Sequence, residues 1–147
     1  MPDAFDGDEL ARLRIALATI ARALDRQTRG DLLTRTQASA LATIARSGPI
    51  RISRLAEIEG VNPTMLSRIV AKLEIGGLLE RRADPADGRV ARVEVTAAGA
   101  ELHERLRTER TLLLRRQLAA MPADQAGHLL AALPSLESLA RQLKVGS

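Results

Sequence analysis

The amino-acid sequence predicts a mostly helical α+β fold in which one short β-hairpin interrupts a series of helices. Apolar residues recur at helical spacing through most of the 147 residues. Residues 78–83 and 90–95 instead have the pattern of two strands, and residues 84–88 (DPADG) have the composition of a turn. The expected order is three helical segments, a fourth helix, the two strands and two terminal helices.

The first helix is predicted over residues 8–29. Its apolar residues recur with alternating steps of three and four, which is typical of a narrow coiled-coil seam flanked by charge. The seam consists of Leu10, Leu13, Leu17, Ile20 and Leu24. A seam this narrow is expected to pack against another helix rather than to cover a core.

The second helix is predicted over residues 36–47, with Thr34 or Thr36 as its N-cap. Gly48 and Pro49 are expected to end it, because this pair favours a turn. The inward-facing residues are predicted to be Ala40, Leu41 and Ile44.

A short extended piece at residues 50–52 is expected to lead into a third helix at residues 54–59, with Ser53 as its N-cap. Gly60 is the predicted C-cap, and only Gly60 and Val61 separate this helix from the next. Such a tight connection is typical of a helix-turn-helix. The shared core is predicted to contain Leu55, Ala56, Ile58, Val61, Leu66 and Ile69.

The fourth helix combines strong end signals with two distinct faces. Asn62 is its predicted N-cap, and Pro63 lies where a missing N–H costs nothing. Gly76 and Gly77 are expected to supply a left-handed end. The apolar face is Leu66, Ile69, Val70 and Leu73, and the polar or basic face is Thr64, Ser67, Arg68 and Lys72. The hairpin that follows carries four arginines, which are Arg81, Arg82, Arg89 and Arg92. This is the layout of a winged helix-turn-helix DNA reader.

Double-stranded DNA is therefore the predicted partner of this helix and hairpin. The first turns of a recognition helix enter the major groove, where Arg68 is expected to form a forked contact with guanine. Lys72, one turn later, is expected to contact a phosphate. The full predicted set is Ser53, Thr64, Met65, Ser67, Arg68, Lys72, Arg81 and Arg89. The alternative interpretation of the helix is a solvated amphipathic face.

Asp87 is not expected to contact DNA, because phosphates repel a carboxylate. Its predicted role is to orient Arg89 or Arg81 through a charge-assisted hydrogen bond. The alternative for Arg89 is an ordinary exposed turn residue.

Two terminal helices are predicted after the hairpin. Thr96 should cap a long helix that begins at Ala97, and Gly99 is expected to be tolerated so close to its start. Pro122 is predicted to begin a last helix, which Pro134 should kink or divide. The inward positions of the long helix are predicted to be Leu102, Leu106, Leu113 and Leu118. The apolar face of the last helix is predicted to be Leu129, Leu130, Leu133, Leu136, Leu139 and Leu143.

Composition narrows the classes of function. The chain has no cysteine, which excludes disulfides, thiolate metal sites and a cysteine nucleophile. Phe5 is its only aromatic residue, which disfavours modes of RNA or single-strand binding that depend on base stacking. His103 and His128 are far apart in sequence, so no metal site is predicted and both are expected to be exposed helix residues.

Other classes lack a signal in the sequence. No nucleophile–base pair, phosphate-binding glycine loop or ligand cluster is evident, so neither an enzyme nor a bound cofactor is predicted. No apolar run approaches the roughly 20 residues of a membrane span, and the acidic start is unlike a signal peptide. The expected location is the cytoplasm.

Three stretches resemble the MarR family of bacterial transcriptional regulators. They are residues 73–82 (LEIGGLLERR), 84–89 (DPADGR) and 95–99 (VTAAG). They match the family's leu-glu-x-x-gly helix end, its acidic-x-x-acidic-x-arginine wing and its threonine-capped helix. The resemblance extends over nearly the whole chain. It implies residues 1–33 and 97–147 as dimerisation helices around a DNA-binding domain at residues 34–96.

The resemblance also implies how such a protein works. A homodimer with intertwined first and last helices would bind a palindromic operator, most often as a repressor, and release it when a small aromatic or anionic effector binds. Arg89 resembles the wing-tip arginine that enters the minor groove, whereas Gly88 stands where many members have a second arginine. The effector pocket would lie between the dimerisation helices and the winged domain. Its residues cannot be chosen from the sequence, although Arg14, Arg22 and Arg46 are conceivable anion partners.

A second hypothesis keeps the winged fold but uses it to bind another protein without specific DNA recognition. Under that hypothesis a change at Arg68 would be tolerated, and changes on an apolar surface would abolish function.

Overall fold

The computed structural model describes residues 5–30 and 32–145, and these residues confirm the mostly helical α+β class. Two compact units are present, one ending at Arg110 and the other beginning at Thr111. In chain order the elements are α1 (Gly7–Arg29), α2 (Arg35–Ser47), β1 (Ile50–Arg51), α3 (Ile52–Glu59), α4 (Pro63–Ile75), β2 (Leu79–Ala83), β3 (Ala91–Val95), α5 (Ala97–Ala120), α6 (Ala123–Ala131) and α7 (Leu133–Val145).

Two of the three N-caps that were predicted before the hairpin are confirmed by the structure. Thr34 accepts a hydrogen bond from the backbone N–H of Gln37, whose side chain accepts one from the backbone of Thr34. Asn62 accepts a bond from the backbone N–H of Met65 at 2.8 Å. The prediction that Ser53 caps α3 is wrong. Arg51 holds the N-cap position, because the strand pairing ends there and the helix begins at once.

The glycines that were predicted to end α3 and α4 are confirmed in part. Gly60 ends α3 in the left-handed conformation, with φ of 65°. At the end of α4 only Gly77 has positive φ, at 74°, so the expectation of a left-handed Gly76 is wrong. Gly76 remains right-handed because its N–H still donates to the carbonyl of Lys72, and a single left-handed residue is enough to turn the chain.

The core of the first unit lies between α2, α3, α4 and the sheet. Its largest fully buried side chains are Leu41, Ile44, Leu55, Leu66, Val70, Leu73 and Val93. Ile58 was predicted to join them, but 47% of it is exposed. Helix geometry gives the reason. Viewed down the axis of α3, the buried side is centred between Leu55 and Ala56, which is close to the direction of Glu59. The side chain of Ile58 points about 110° away from this centre and therefore faces solvent.

The sheet has three antiparallel strands in the order β1-β3-β2. β2 and β3 pair from Leu79 opposite Val95 to Ala83 opposite Ala91, as the predicted hairpin requires. β1 adds Ile50 opposite Val93 on the other side of β3. The predicted extended piece is thus a third strand, and it ties the start of α3 directly to the hairpin.

The end of α4 is joined closely to the start of α5. The hydroxyl of Thr96 accepts a bond from the backbone N–H of Gly99 and donates to the carbonyl of Gly77 at 2.6 Å, so its predicted capping role is confirmed. A Cβ added at Gly99 would lie 2.1 Å from the carbonyl oxygen of Leu78. Glycine is therefore required at this position rather than merely tolerated.

The second unit consists of the end of α5, α6 and α7. The predicted last helix is divided, with Pro134 in the first turn of α7. Several leucines that were predicted to form its apolar face are exposed in the single chain: Leu129, Leu130, Leu133, Leu139 and Leu143. Among the described residues, none of the helices combines the length and apolar character that crossing a membrane requires.

Candidate nucleic-acid interface

Helix α4 turns one face to the core and the other to solvent. Leu66, Ile69, Val70 and Leu73 are buried, as their spacing predicted. This fixes the rotation of the helix, and the predicted contact residues of its first turns are consequently exposed. They are Thr64, Met65, Ser67 and Arg68.

The two cations of this helix have no counterion in the single chain. Arg68 and Lys72 are exposed, and neither makes a hydrogen bond or ion pair with any residue that the structure describes. Side chains in this state can contact an anion without first giving up a partner. The outer face of α4 therefore carries two available positive charges.

The hairpin differs, because each of its four arginines contacts a carboxylate. Arg81 Nε donates to Glu74 Oε1 on α4. Arg82 lies between Glu80 and Glu94, which are directly opposite each other in β2 and β3. The two glutamates influence each other's pKa: a hydrogen bond with Glu94 lowers the pKa of Glu80, and the same bond raises the pKa of Glu94.

Arg89 stands at the tip of the hairpin turn, with 94% of its side chain exposed. Asp87 Oδ1 accepts from its backbone N–H at 3.1 Å and from its Nε at 3.3 Å. Of the two partners considered for Asp87, the structure contains the contact with Arg89, while Arg81 contacts Glu74 instead. The role of this contact in binding DNA stays a prediction.

Asp84 is the polar residue that sequence reasoning missed, having been treated only as part of the turn. It is 3% exposed. Its Oδ2 accepts from Arg51 Nε and from Arg92 Nε, each at 2.7 Å. The available signal was local: an aspartate at the start of a turn commonly accepts from the backbone N–H two residues on. Asp84 Oδ1 does so with Ala86, at 2.8 Å.

The bonds around Asp84 determine its charge. The hydrogen bonds from Arg51 and then Arg92 hold the pKa of this carboxyl well below its ordinary value, and the bond from Ala86 adds to the effect. The same ion pair raises the pKa of Arg51. Asp84 is consequently ionised at any pH near neutrality. We refer to Asp84, Arg51 and Arg92 as the wing clamp.

The remaining predicted residue, Ser53, lies in the first turn of α3, where its side chain is exposed. It belongs to the helix that precedes α4, not to α4 or the hairpin.

The two histidines differ in part from the expectation that both are exposed. His128 is exposed, but His103 is half-buried on α5, where burial and then the charge of Arg46 lower its pKa.

A cavity of about 340 Å³ opens in the first unit between α1, α2 and α5. Its charged lining residues are Asp25, Arg35, Arg46 and Arg110. Asp25 contacts Arg110 at 3.2 Å and Arg35 at 4.0 Å, so the cavity lining holds one carboxylate and three arginines, two of which pair with that carboxylate. Of the arginines considered from the sequence, Arg46 lines this cavity and Arg22 lines a smaller neighbour of about 200 Å³. Arg14 lines neither of these two cavities.

Comparison with known proteins identifies the fold and the family. The sequence model of the MarR family matches residues 33–91. An HTH-type transcriptional regulator of Mycobacterium tuberculosis is 35% identical over 118 residues, covering 78% of this chain and 82% of that protein.

Solved structures agree. A protein of Pseudomonas aeruginosa aligns at 30% identity with a TM-score of 0.81, over 92% of this chain and 98% of that one. A mutant MarR from E. coli aligns at 21% identity with a TM-score of 0.75, over 91% of this chain and 98% of that one, and this likeness concerns the fold alone. With the helix-turn-helix, the hairpin and these relatives taken together, the chain belongs to the MarR family of transcriptional regulators.

Proposed function

We propose that this protein is a homodimeric regulator that binds a palindromic operator in double-stranded DNA and represses transcription until a small effector releases it. One observation carries the proposal. Arg68 and Lys72 stand exposed and without a counterion among the described residues on the outer face of α4, beside a hairpin whose tip presents Arg89. Phosphates and guanine edges are the ligands that suit such side chains.

The first turns of α4 would enter the major groove. Asn62 and Pro63 begin the helix, and Thr64, Ser67 and Arg68 are exposed in its first two turns. We assign base reading to Arg68, phosphate contact to Lys72 and minor-groove contact to Arg89. Ser53, Met65 and Arg81 complete the proposed interface, and residues 34–96 form its DNA-binding part. A double-stranded DNA operator as the target supports a cytoplasmic location for the protein.

Dimerisation is proposed from apolar surface that the single chain leaves exposed. On α1 the seam residues Leu10, Leu13, Leu17 and Ile20 are each at least 40% exposed. The second unit separately exposes five leucines on α6 and α7. A monomer in water rarely leaves several such rows uncovered. Light scattering coupled to size exclusion should therefore give twice the chain mass of 15.8 kDa.

The effector is proposed to occupy the cavity between α1, α2 and α5. Three arginines around one carboxylate leave an excess of positive charge, which favours an anion, and the small apolar residues Ala21, Ala38 and Ala42 favour a flat ring beside it. Benzoate and its neutral analogue benzyl alcohol test this. Benzoate alone should raise the melting temperature and weaken operator binding, and Arg46→Ala should abolish both effects. Benzoate effects that Arg46→Ala leaves unchanged would contradict this position.

The DNA-binding function is tested by selecting fragments from a random duplex pool with the purified protein. Recovery of an inverted repeat, bound in a mobility-shift assay far more tightly than a scrambled duplex, is the expected result. The affinity should fall steeply with salt, with a slope of about −0.9 for each phosphate contact. Equal binding of every duplex at moderate ionic strength would overturn the proposal in favour of a protein-binding winged domain.

A further inference from the structure

We propose that Asp84 is a positioning residue for DNA specificity: the wing clamp fixes the Arg89 turn against the helix-turn-helix and at the same time withholds two arginines from unspecific DNA contact. This inference rests on the proposed function. It concerns a residue that touches neither base nor phosphate and acts only through Arg51, Arg92 and the turn.

The first part of the inference follows from connectivity. Asp84 lies between the end of β2 and the turn, and its carboxylate bonds to three separate parts of the fold. Oδ2 binds Arg51, which is the N-cap residue of α3, and Arg92 of β3. Oδ1 accepts from the backbone N–H groups of Ala86 and, at 3.3 Å, Asp87. One buried group thus joins the turn to the sheet and to the start of the helix-turn-helix.

Arg89 depends on that junction. Its guanidinium is held by Asp87, and the backbone of Asp87 is held by Asp84. The contacts that place Arg89 therefore run through two carboxylates, of which only Asp84 is buried. Exposed ion pairs contribute little to stability and exchange readily, so Asp87 can yield Arg89 to DNA. A DNA phosphate cannot displace Asp84 from its contacts in this way, because its carboxylate oxygens are buried.

The second part follows from charge. In helix-turn-helix proteins the helix that precedes the recognition helix crosses the DNA backbone. Arg51 begins that helix here, and its side chain is 43% exposed. Arg92 is exposed to 35%. Both could reach phosphates if they were released. Their bonds to Asp84 instead point the Nε of each inward, and its carboxylate offsets one of their two positive charges.

The variant Asp84→Asn separates the two effects from simple loss of structure. Asparagine keeps a carbonyl that can accept from Ala86 and Asp87, but it removes the charge that holds both guanidiniums. We expect operator affinity to fall about tenfold or more, while affinity for a scrambled duplex rises. The salt slope on the scrambled duplex should steepen by about 0.9 for each additional phosphate that the released arginines neutralise. A purely structural role would weaken binding to both duplexes alike, and that result would overturn the inference.

Adding Arg51→Gln to this variant sharpens the test. It removes one of the two released arginines, so the rise in affinity for the scrambled duplex should diminish while operator binding stays weak. If Asp84→Asn does not fold, the single variant Arg51→Gln replaces it, because Arg92 still neutralises the buried carboxylate. It should weaken operator binding without any rise in affinity for the scrambled duplex. Unchanged operator binding by this variant contradicts the inference.

A second readout needs no DNA. The chain has no cysteine, and a Cβ at Gly88 would meet nothing within 4 Å, so Gly88→Cys can carry a spin label at the wing tip. Glu101→Cys on the exposed side of α5 serves as the control position. Asp84→Asn should increase the mobility of the label at residue 88 and leave that at residue 101 unchanged. Equal mobility in both backgrounds would overturn the positioning role. A wild-type protein that shows no preference for any duplex would instead overturn the proposed function itself.

Discussion

Helix α4 and the hairpin after it carry their arginines in opposite ways. On α4, Arg68 and Lys72 have no partner among the described residues. Residues 79–95 contain four arginines and four carboxylates. Three of these arginines contact carboxylates of the hairpin itself, and Arg81 contacts Glu74 at the end of α4. The outer face of the helix is therefore a source of positive charge, whereas the hairpin is neutral as a whole and holds its guanidiniums in defined places.

The difference suggests separate contributions to binding. Cations without a protein counterion attract any phosphate and displace the counterions condensed on the DNA. Helix α4 should therefore supply much of the salt-dependent affinity. A paired arginine attracts less at a distance but loses less conformational freedom when it binds. The hairpin should then contribute mainly where its fixed geometry fits a groove. The following substitutions test this division.

The largest effect is expected at Gly99, where α4 and the hairpin meet α5. Because a Cβ would lie 2.1 Å from a backbone oxygen, Gly99→Ala must displace Leu78, the last of the three residues that link α4 to β2. We expect a loss of about 1–3 kcal/mol in the free energy of unfolding. DNA binding through helix and hairpin should then weaken together.

Chemical denaturation measures this effect, and Gly88→Ala is its control. A Cβ at Gly88 meets nothing within 4 Å, so the free energy of unfolding should change by no more than about 0.5 kcal/mol. Equal stability of the Gly99 and Gly88 variants would show that the contact between α5 and Leu78 is not tight in solution.

Arg68→Ala should give the largest change in specificity. Loss of a forked guanine contact removes about 1–3 kcal/mol of discrimination, or roughly five- to 150-fold, at one base-pair position. Lys72→Ala is the matched helix variant and should weaken all sequences uniformly. Binding measured on a set of single-base operator variants separates the two. If both variants changed affinity uniformly, base reading would not be a property of Arg68.

Arg89→Ala should cost less than Arg68→Ala, since Asp87 already offsets part of the charge that is lost. The loss should be greatest on operators with A·T pairs beside the half-site, where the narrow minor groove attracts arginine. Replacing those pairs with G·C should remove most of the difference between wild type and variant. Arg82→Ala, at another exposed and paired hairpin arginine, is the control and should have little effect. Dimer mass and helix content should stay unchanged in both variants.

The sequence predicted what depends on local chemistry. Periodicity and caps placed the start of α4 to the residue, because Asn62, Pro63 and the apolar stripe each act within a few positions of themselves. The same local logic failed for Ser53, since the start of α3 is decided by where β1 stops pairing with β3. Ile58 failed because two turns of helix bury only a narrow sector, which the pattern alone does not orient.

The candidate interface was likewise predictable only where it depends on local sequence. Exposure of Arg68 and Arg89 follows from the helix stripe and the turn, both of which are local. The wing clamp was not predictable, because Asp84 and Arg51 lie 33 positions apart and meet only once β1 joins the sheet. The requirement for glycine at residue 99 likewise arises from a close approach to Leu78, which lies outside its own helix.

The dependence of stability on pH should distinguish the buried carboxylate from the exposed ones. The pKa of Asp84 is lower in the folded chain than its ordinary value, so its contribution is complete above that value and is lost as pH falls below it. The stability difference between wild type and Asp84→Asn should be constant near neutrality and shrink below about pH 4. Denaturant titrations at neutral and acidic pH measure it. A difference that persists unchanged in acid would mean that the clamp does not depend on the charge of Asp84.

The smallest effect is expected from Glu74→Gln, which makes one hairpin arginine resemble the cations of α4. Glu74 accepts from Arg81 Nε, and its removal leaves Arg81 with less compensating charge beside the proposed interface. Affinity should rise slightly and equally for all sequences, and the salt slope should steepen by up to about 0.9, because Arg81 would neutralise its phosphate more fully once Glu74 no longer competes for it. Glu104→Gln removes the same charge beside Arg107 on α5 and is the control. If the two variants had the same slope, the charge would be acting at long range and Arg81 would have no phosphate within its reach. A slope that steepens only for Glu74→Gln would show that pairing, and not position, keeps the hairpin from contributing charge as α4 does.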